Sequence, residues 1–112
     1  MTKKYPSSES LGRTSGAAML ILSSLAGGDR HGYALVKDVE EFSGIHLAAG
    51  TLYEALARLE AQGLIEALES NSRRRPYRLT AGGATALSEH LTAEQRVVKV
   101  GLNRLKKGWS FA

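Results

Sequence analysis

Apolar side chains recur along the chain at spacings that assign most of it to helix. Leu52, Leu56 and Leu59 stand at i, i+4 and i+7, the repeat of a single apolar stripe on an α-helix. Ala55, Ala57 and Ala61 favour helix, and Gly63 sits where a left-handed residue would close it. The opposite face carries Thr51, Glu54 and Arg58, with Tyr53 on the border, so residues 50–63 form a short helix with an apolar back and a hydrogen-bonding front. Upstream, Leu35, Val39 and Phe42 repeat the same spacing, and Tyr33 and Val36 widen the inward face. Lys37, Asp38, Glu40 and Glu41 face out. Asp29 is the expected N-cap of this second helix, residues 30–42, and Ser43-Gly44 its stop. Residues 15–26 are apolar on most faces, which predicts a buried helix, central or between subunits. Residues 1–14 lack periodicity and read as a loose basic arm.

Beyond Gly63 the period changes. Ile65 and Ala67 alternate with Glu66 in a strand over residues 64–69, and Ser70-Asn71-Ser72 has turn chemistry. Residues 76–80 return as a second strand with Tyr77 and Leu79 inward and Pro76 at its start or on an edge. The product is a β-hairpin with Arg73, Arg74 and Arg75 near its tip. Thr80 is the expected cap of a last helix reaching about residue 107, whose first turns Gly82 and Gly83 weaken by roughly 1 kcal/mol each relative to Ala. Leu91, Gln95, Val98, Leu102, Leu105 and Trp109 are spaced 4, 3, 4, 3, 4, a heptad-like seam with one polar member. Thr92-Ala-Glu-Gln95 has capping-box form, which allows a break near Thr92. The seam needs a partner, and the expected arrangement packs it both on the first helix and on a second copy of the chain. Leu22, on the first helix, joins Leu91, Val98, Leu102, Leu105 and Trp109 in the expected dimer interface. The fold class is mainly α with a small β-hairpin, divided into an arm (1–14), a helix-turn-helix with a β wing (15–80) and a dimerisation helix (81–112).

Composition narrows the function. A chain of 112 residues with 43% hydrophobic and 23% charged residues has room for one domain with a modest core. It has no cysteine, so disulfides and thiolate metal sites are excluded. The longest apolar run, residues 17–22, is far too short to cross a bilayer, and the basic start of the chain runs into Ser7, Ser8 and Glu9 rather than a signal-peptide core. A soluble, cytoplasmic protein without membrane contact is expected. Net charge is +4, and its distribution is uneven. Residues 38–69 hold seven acidic side chains against Arg58, whereas residues 73–78 hold four arginines and no acid. Residues 96–107 add five more basic side chains, again with no acid. Segregated positive charge on a mildly acidic scaffold suits local contact with a polyanion. His31, His46 and His90 are scattered, and no Cys nucleophile, phosphate loop or carboxylate pair of specific form accompanies them, so an enzyme is not expected.

Two short amphipathic helices joined by a tight Gly-containing turn, the second with a polar front, have the helix-turn-helix layout, in its looser winged version. That makes double-stranded DNA the expected partner. Thr51, Tyr53 and Arg58 are assigned to the groove-facing surface, with Tyr53 alternatively half buried as scaffold. Arg73, Arg74, Arg75 and Lys37, helped by Lys3 and Lys4, are assigned to phosphates. The competing reading is a winged protein-interaction module without DNA affinity, favoured by the acidic middle of the chain and by Glu54.

The chain also resembles the PadR family of winged-helix transcriptional regulators. The matching residues are His31-Gly-Tyr33, Gly50-Thr-Leu-Tyr53, Ala55-Leu56, Arg58-Leu-Glu60, Gly63-Leu-Ile65, Arg75, Tyr77-Arg-Leu-Thr80, Gly83 and Leu87. The resemblance implies a homodimer built from the first and last helices, recognition helices in successive major grooves and wings reaching towards the minor groove. It implies the shorter of the family's two size classes, and for some members a small aromatic or planar effector near the dimer interface that releases DNA. Trp109 and Phe111 are candidates to line such a site, and Trp109 in a seam equally suits plain packing. Two departures stand out. Ala48-Ala49 replaces the family's usual Ser-Pro, removing a polar N-cap typically worth about 1 kcal/mol. Glu54 stands where the family often has proline, repelling phosphate yet able to accept a hydrogen bond from cytosine N4.

Overall fold

The computed structural model describes residues 16–71 and 73–110. The arm expected over residues 1–14, and Phe111, lie outside the described residues. The order of elements is α1 (Gly16–Ala26), α2 (Gly32–Ser43), α3 (Ala49–Ala61), β1 (Ile65–Ala67), β2 (Tyr77–Leu79) and α4 (Ala81–Gly108). The fold is mainly helical with a small antiparallel hairpin, as the pattern predicts.

α1 is the central element, packed against α2, α3, α4 and β2. Its Ala17, Ile21, Leu22 and Leu25 meet Leu35 and Val39 of α2, Leu52, Leu56 and Leu59 of α3, Ile65 of β1 and Leu87 of α4 in one core. Each fully buried Leu, Ile or Val there contributes roughly 1.5–3 kcal/mol. Among the described residues Ser24 is the one buried polar residue, 2% exposed. Its hydroxyl donates to Asp38 Oδ2 at 2.7 Å. Arg30 Nε lies 3.6 Å from the same oxygen and donates to the Ser24 carbonyl at 3.2 Å, so no polar atom there is stranded.

The hairpin pairs Ile65 with Leu79, Glu66 with Arg78 and Ala67 with Tyr77. A third extended piece completes it. Arg30 and Tyr77 exchange both backbone hydrogen bonds, at 3.2 and 2.8 Å, so the loop before α2 is stitched to the base of the wing.

This pairing corrects the expected start of the second helix. With Arg30 held extended, the chain turns helical only after His31, whose Nδ1 accepts the Ala34 N–H at 3.3 Å and caps α2. Asp29 is not the cap; its carboxylate lies 3.8 Å from Arg78 Nε of β2. Tyr33 and Phe42 are exposed rather than inward. Tyr33 lies well off the Leu35–Val39 stripe, and Phe42 falls on the last turn, past the residues that cover that stripe. The stops were correctly placed: Gly44 takes φ 76° and Gly63 φ 78°, left-handed values that suit glycine.

α4 is unbroken from Ala81 to Gly108, so the capping-box sequence at Thr92 does not interrupt it. Ala93 to Arg96 are good helix formers that continue the ladder. Thr80 caps the helix as expected, its hydroxyl accepting Gly83 N–H at 3.0 Å and donating to the Gly63 carbonyl at 2.7 Å. Gly83 has a positive role: a Cβ there would lie 2.0 Å from the Leu64 carbonyl oxygen. Only the start of α4, through Gly83 and Leu87, joins the core, and every residue from Ser88 to Ser110 is exposed. The seam side chains Leu91, Val98, Leu102 and Leu105 are among them. Trp109 falls just past the helix in extended backbone, with its N–H bonded to the Leu105 carbonyl, so the helical part of the seam ends at Leu105. Leu22, expected between subunits, is 6% exposed and belongs to the chain's own core.

Candidate nucleic-acid interface

α3 is pressed against the body by Leu52, Ala55, Leu56 and Leu59, which fixes which face it presents. Gly50, Tyr53, Glu54, Ala57, Arg58 and Ala61 are exposed, and Thr51 is half-buried at the edge of that face. Arg58 Nη2 and Glu54 Oε2, one turn apart, lie 3.9 Å from each other. Ala48 starts the helix in extended backbone and supplies no side-chain cap, as its methyl group dictates.

Tyr53 is 55% exposed and leans over the start of α2. A Cβ on Gly32 would lie 2.7 Å from its hydroxyl oxygen, so glycine at 32 keeps this approach open. Tyr53 thus leans on the start of α2 while more than half of it stays open to solvent.

The wing arginines face the same region. Arg73, Arg74 and Arg75 are exposed, and with His31, Gly32, Tyr33, Tyr53 and Tyr77 they line an open cleft of about 230 Å³. The cleft collects positive charge from the wing and the positive end of the α2 dipole, both favourable to an anion. His31 uses Nδ1 for capping, which leaves Nε2 to carry the proton of the neutral ring. Burial, reinforced by the Glu60 and Tyr53 charges, holds the Tyr77 hydroxyl above the ordinary tyrosine range, with Arg75 pulling the other way. Tyr77 is thus a hydrogen-bond donor throughout the physiological range. Arg78, the fourth arginine of this stretch, lies outside the cleft lining and faces Asp29 at 3.8 Å and Glu66 at 3.4 Å.

The structure brings Tyr53 together with Arg73, Arg74 and Arg75, and places Arg58 further along the exposed face of α3. Lys37 is exposed on α2 and is not part of the cleft. Periodicity missed the contribution of His31, Gly32 and Tyr33, because the start of α2 is set by strand pairing rather than by its apolar stripe. Of the other histidines, His46 meets Glu40 and His90 lies 3.6 Å from Glu94. Among the described residues no helix is long and apolar enough to cross a membrane.

A two-helix reading unit backed by a core and flanked by an antiparallel hairpin defines a winged helix-turn-helix domain. Residues 21–89 match the Transcriptional regulator PadR-like family, and the chain belongs to that family. It is 34% identical over 82 residues to a transcriptional regulator of Mycobacterium tuberculosis, covering 70% of this chain and 76% of that protein. It is 45% identical over 85 residues to an uncharacterized 37.1 kDa protein of a transposon in Streptomyces fradiae. That match takes in 76% of this chain but only 25% of the transposon protein. Among solved structures, a PadR family regulator from Clostridium difficile shares 36% identity at a TM-score of 0.68, covering 80% of this chain and 96% of that one. A transcriptional regulator from Clostridium thermocellum shares 30% at 0.73, covering 90% and 98%. The family consists of DNA-binding regulators of transcription, not enzymes.

Proposed function

We propose that this chain is a sequence-specific, double-stranded-DNA-binding repressor that acts in the cytoplasm as a homodimer and responds to a small aromatic effector. The observation that carries the DNA reading is the shared geometry of α3 and the wing. Tyr53, on the exposed side of α3, and the arginines 73–75 line one cleft. α3 enters the major groove, the arginines hold phosphates on its flank, and Lys37 adds a further backbone contact. Thr51, Tyr53 and Arg58 give the groove face its hydrogen-bonding groups.

Pairing through α4 is supported by its unpartnered seam. Leu102 is 63% exposed and Leu105 38% exposed on a helix that leaves its own domain after Leu87. A soluble helix does not ordinarily leave such a row open to water. Leu91, Val98, Leu102 and Leu105 form the proposed interface, with Trp109 at its end, 69% exposed and available to pack or to line an effector site. Residues 15–80 then act as the reading head and residues 81–112 as the pairing element. Repression follows from occupancy, since a dimer on a promoter excludes other proteins from the same duplex. An effector that shifts the pairing of the helices changes the separation of the two heads, which links its binding to DNA release.

The test is a salt titration of binding to a random-sequence duplex. Replacing Arg73, Arg74 and Arg75 together by Ala is expected to weaken binding to every duplex. It is also expected to flatten the slope of log affinity against log salt by up to about 3 per subunit. An unchanged slope removes the wing from the interface. Absence of binding in dilute buffer by the unmodified protein refutes the DNA reading altogether.

A further inference from the structure

We infer that Glu54 and Arg58 set the target sequence together, Glu54 by selecting a cytosine and Arg58 a neighbouring guanine; this rests on the DNA-binding reading above. The argument is one of elimination on the exposed face of α3. Gly50, Ala57 and Ala61 carry no hydrogen-bonding side chain, and Glu60, also exposed, lies on the wing side of α3, where its charge acts on Tyr77. Tyr53 turns its hydroxyl towards the start of α2 and the arginine cleft, where a phosphate rather than a base edge belongs. Thr51 is half-buried at the margin. Base-edge chemistry at the centre of the face therefore falls to Glu54 and Arg58.

Their geometry suits the task. At 3.9 Å the two groups attract but do not consume each other's hydrogen-bonding positions, and both side chains are at least half exposed. A carboxylate only accepts and a guanidinium only donates. In the major groove, guanine offers O6 and N7 as acceptors, which suit Arg58, and cytosine offers its N4 amine, which suits Glu54. One helical turn separates the pair by about 6 Å along the axis, on the order of two base-pair steps, so they address positions within two base pairs of each other. Glu54 also acts by exclusion: against a thymine or guanine edge, or a phosphate, its oxygens meet only other acceptors.

The experiment is selection from a random-sequence duplex pool at fixed salt with the full chain, its E54Q and E54A variants, and R58A. The position is an exposed helical one, and Gln and Ala both favour helix, so folding is not at issue. The unmodified protein is expected to retain sites with a cytosine and a guanine within two base pairs of each other. E54Q is expected to change the cytosine to adenine while keeping the guanine, because Gln pairs with adenine N6 and N7. E54A should lose that base preference, with discrimination falling on the order of 10-fold. Replacing the selected guanine by 7-deazaguanine should weaken the unmodified protein on the order of 10-fold and leave R58A unaffected. If all variants bind duplex DNA and select the same sequence, the inference is overturned and the DNA reading survives. If the unmodified protein retains no duplex at all, both are overturned.

Discussion

Gly82 and Gly83 are neighbours in the first turn of α4, and replacing each by alanine adds one methyl group to two different surroundings. By helix propensity alone each change favours folding by about 1 kcal/mol. At Gly82 the nearest atoms to the new Cβ are the Gly63 carbonyl oxygen and Thr80 Oγ1, both at 3.8 Å, an ordinary contact, so that gain is expected in full. At Gly83 the new Cβ meets the Leu64 carbonyl oxygen at 2.0 Å and Leu79 Cδ1 at 2.8 Å. The leucine methyl can rotate away. The carbonyl cannot, since it accepts the Thr80 N–H at 3.1 Å and lies at the entry to β1. Relief requires α4 and the β1 entry to part by roughly 1 Å, an overpacking cost of about 1–3 kcal/mol. Loss of the Thr80 hydrogen bond adds about 1 kcal/mol. Net of propensity, Gly83→Ala is expected to destabilise by about 2 kcal/mol and lower Tm by roughly 10 °C. Gly82→Ala should raise stability by about 1 kcal/mol. Urea unfolding followed by circular dichroism, at one protein concentration for all variants, measures both. Equal shifts for the two variants, or a Gly83→Ala protein at least as stable as the unmodified one, would refute the close-packing argument.

Leu102→Asp places a charge in the middle of the exposed seam and should leave a folded monomer by sedimentation at micromolar concentration; an unchanged dimer moves the interface elsewhere. Tyr77 titrates above its unfolded value because of burial and the Glu60 and Tyr53 charges, so its contribution to stability is complete below about pH 10. That contribution is lost as pH rises through the folded pKa. Tyr77→Phe should therefore show a smaller fall in stability across the alkaline range than the unmodified protein, and identical curves would rule out this linkage. With the wing arginines and the Glu54 series, these variants probe packing, pairing, field and readout separately.

How much of this was legible beforehand depends on whether a feature is local. The stripe of Leu52, Leu56 and Leu59 and the left-handed Gly44 and Gly63 are fixed by neighbours within a few residues, and they fall where periodicity places them. The capping of α2 is not local. Asp29 is a better N-cap than His31 by residue type, but Arg30 is paired to Tyr77, far along the chain, and that decides the matter. Helix propensity alone marks Gly83 as a weak point, because its partner, Leu64, lies outside the helix in the approach to β1. For the site, the polar face of α3 and the arginine tip were readable as patterns. Their convergence on Tyr53 and the start of α2 was not, because it arises from packing of three separate segments. His31-Gly-Tyr33 was visible only through family resemblance. No spacing rule singles it out.

α4 contains 28 residues, about 42 Å of rod at 1.5 Å per residue, yet it is seated only near one end, at Gly83 and Leu87. A pivot so far from the tip turns the helix into a lever. Tilting it by about 10° at Leu87 swings Gly108 sideways by roughly 5 Å, more than the rise of one base pair. The side chains that seat Leu87 in the core thus govern a span many times their own size. In a pair of such levers, repacking a single methyl group at the fulcrum can retune where two reading heads land on a duplex that the methyl group never touches.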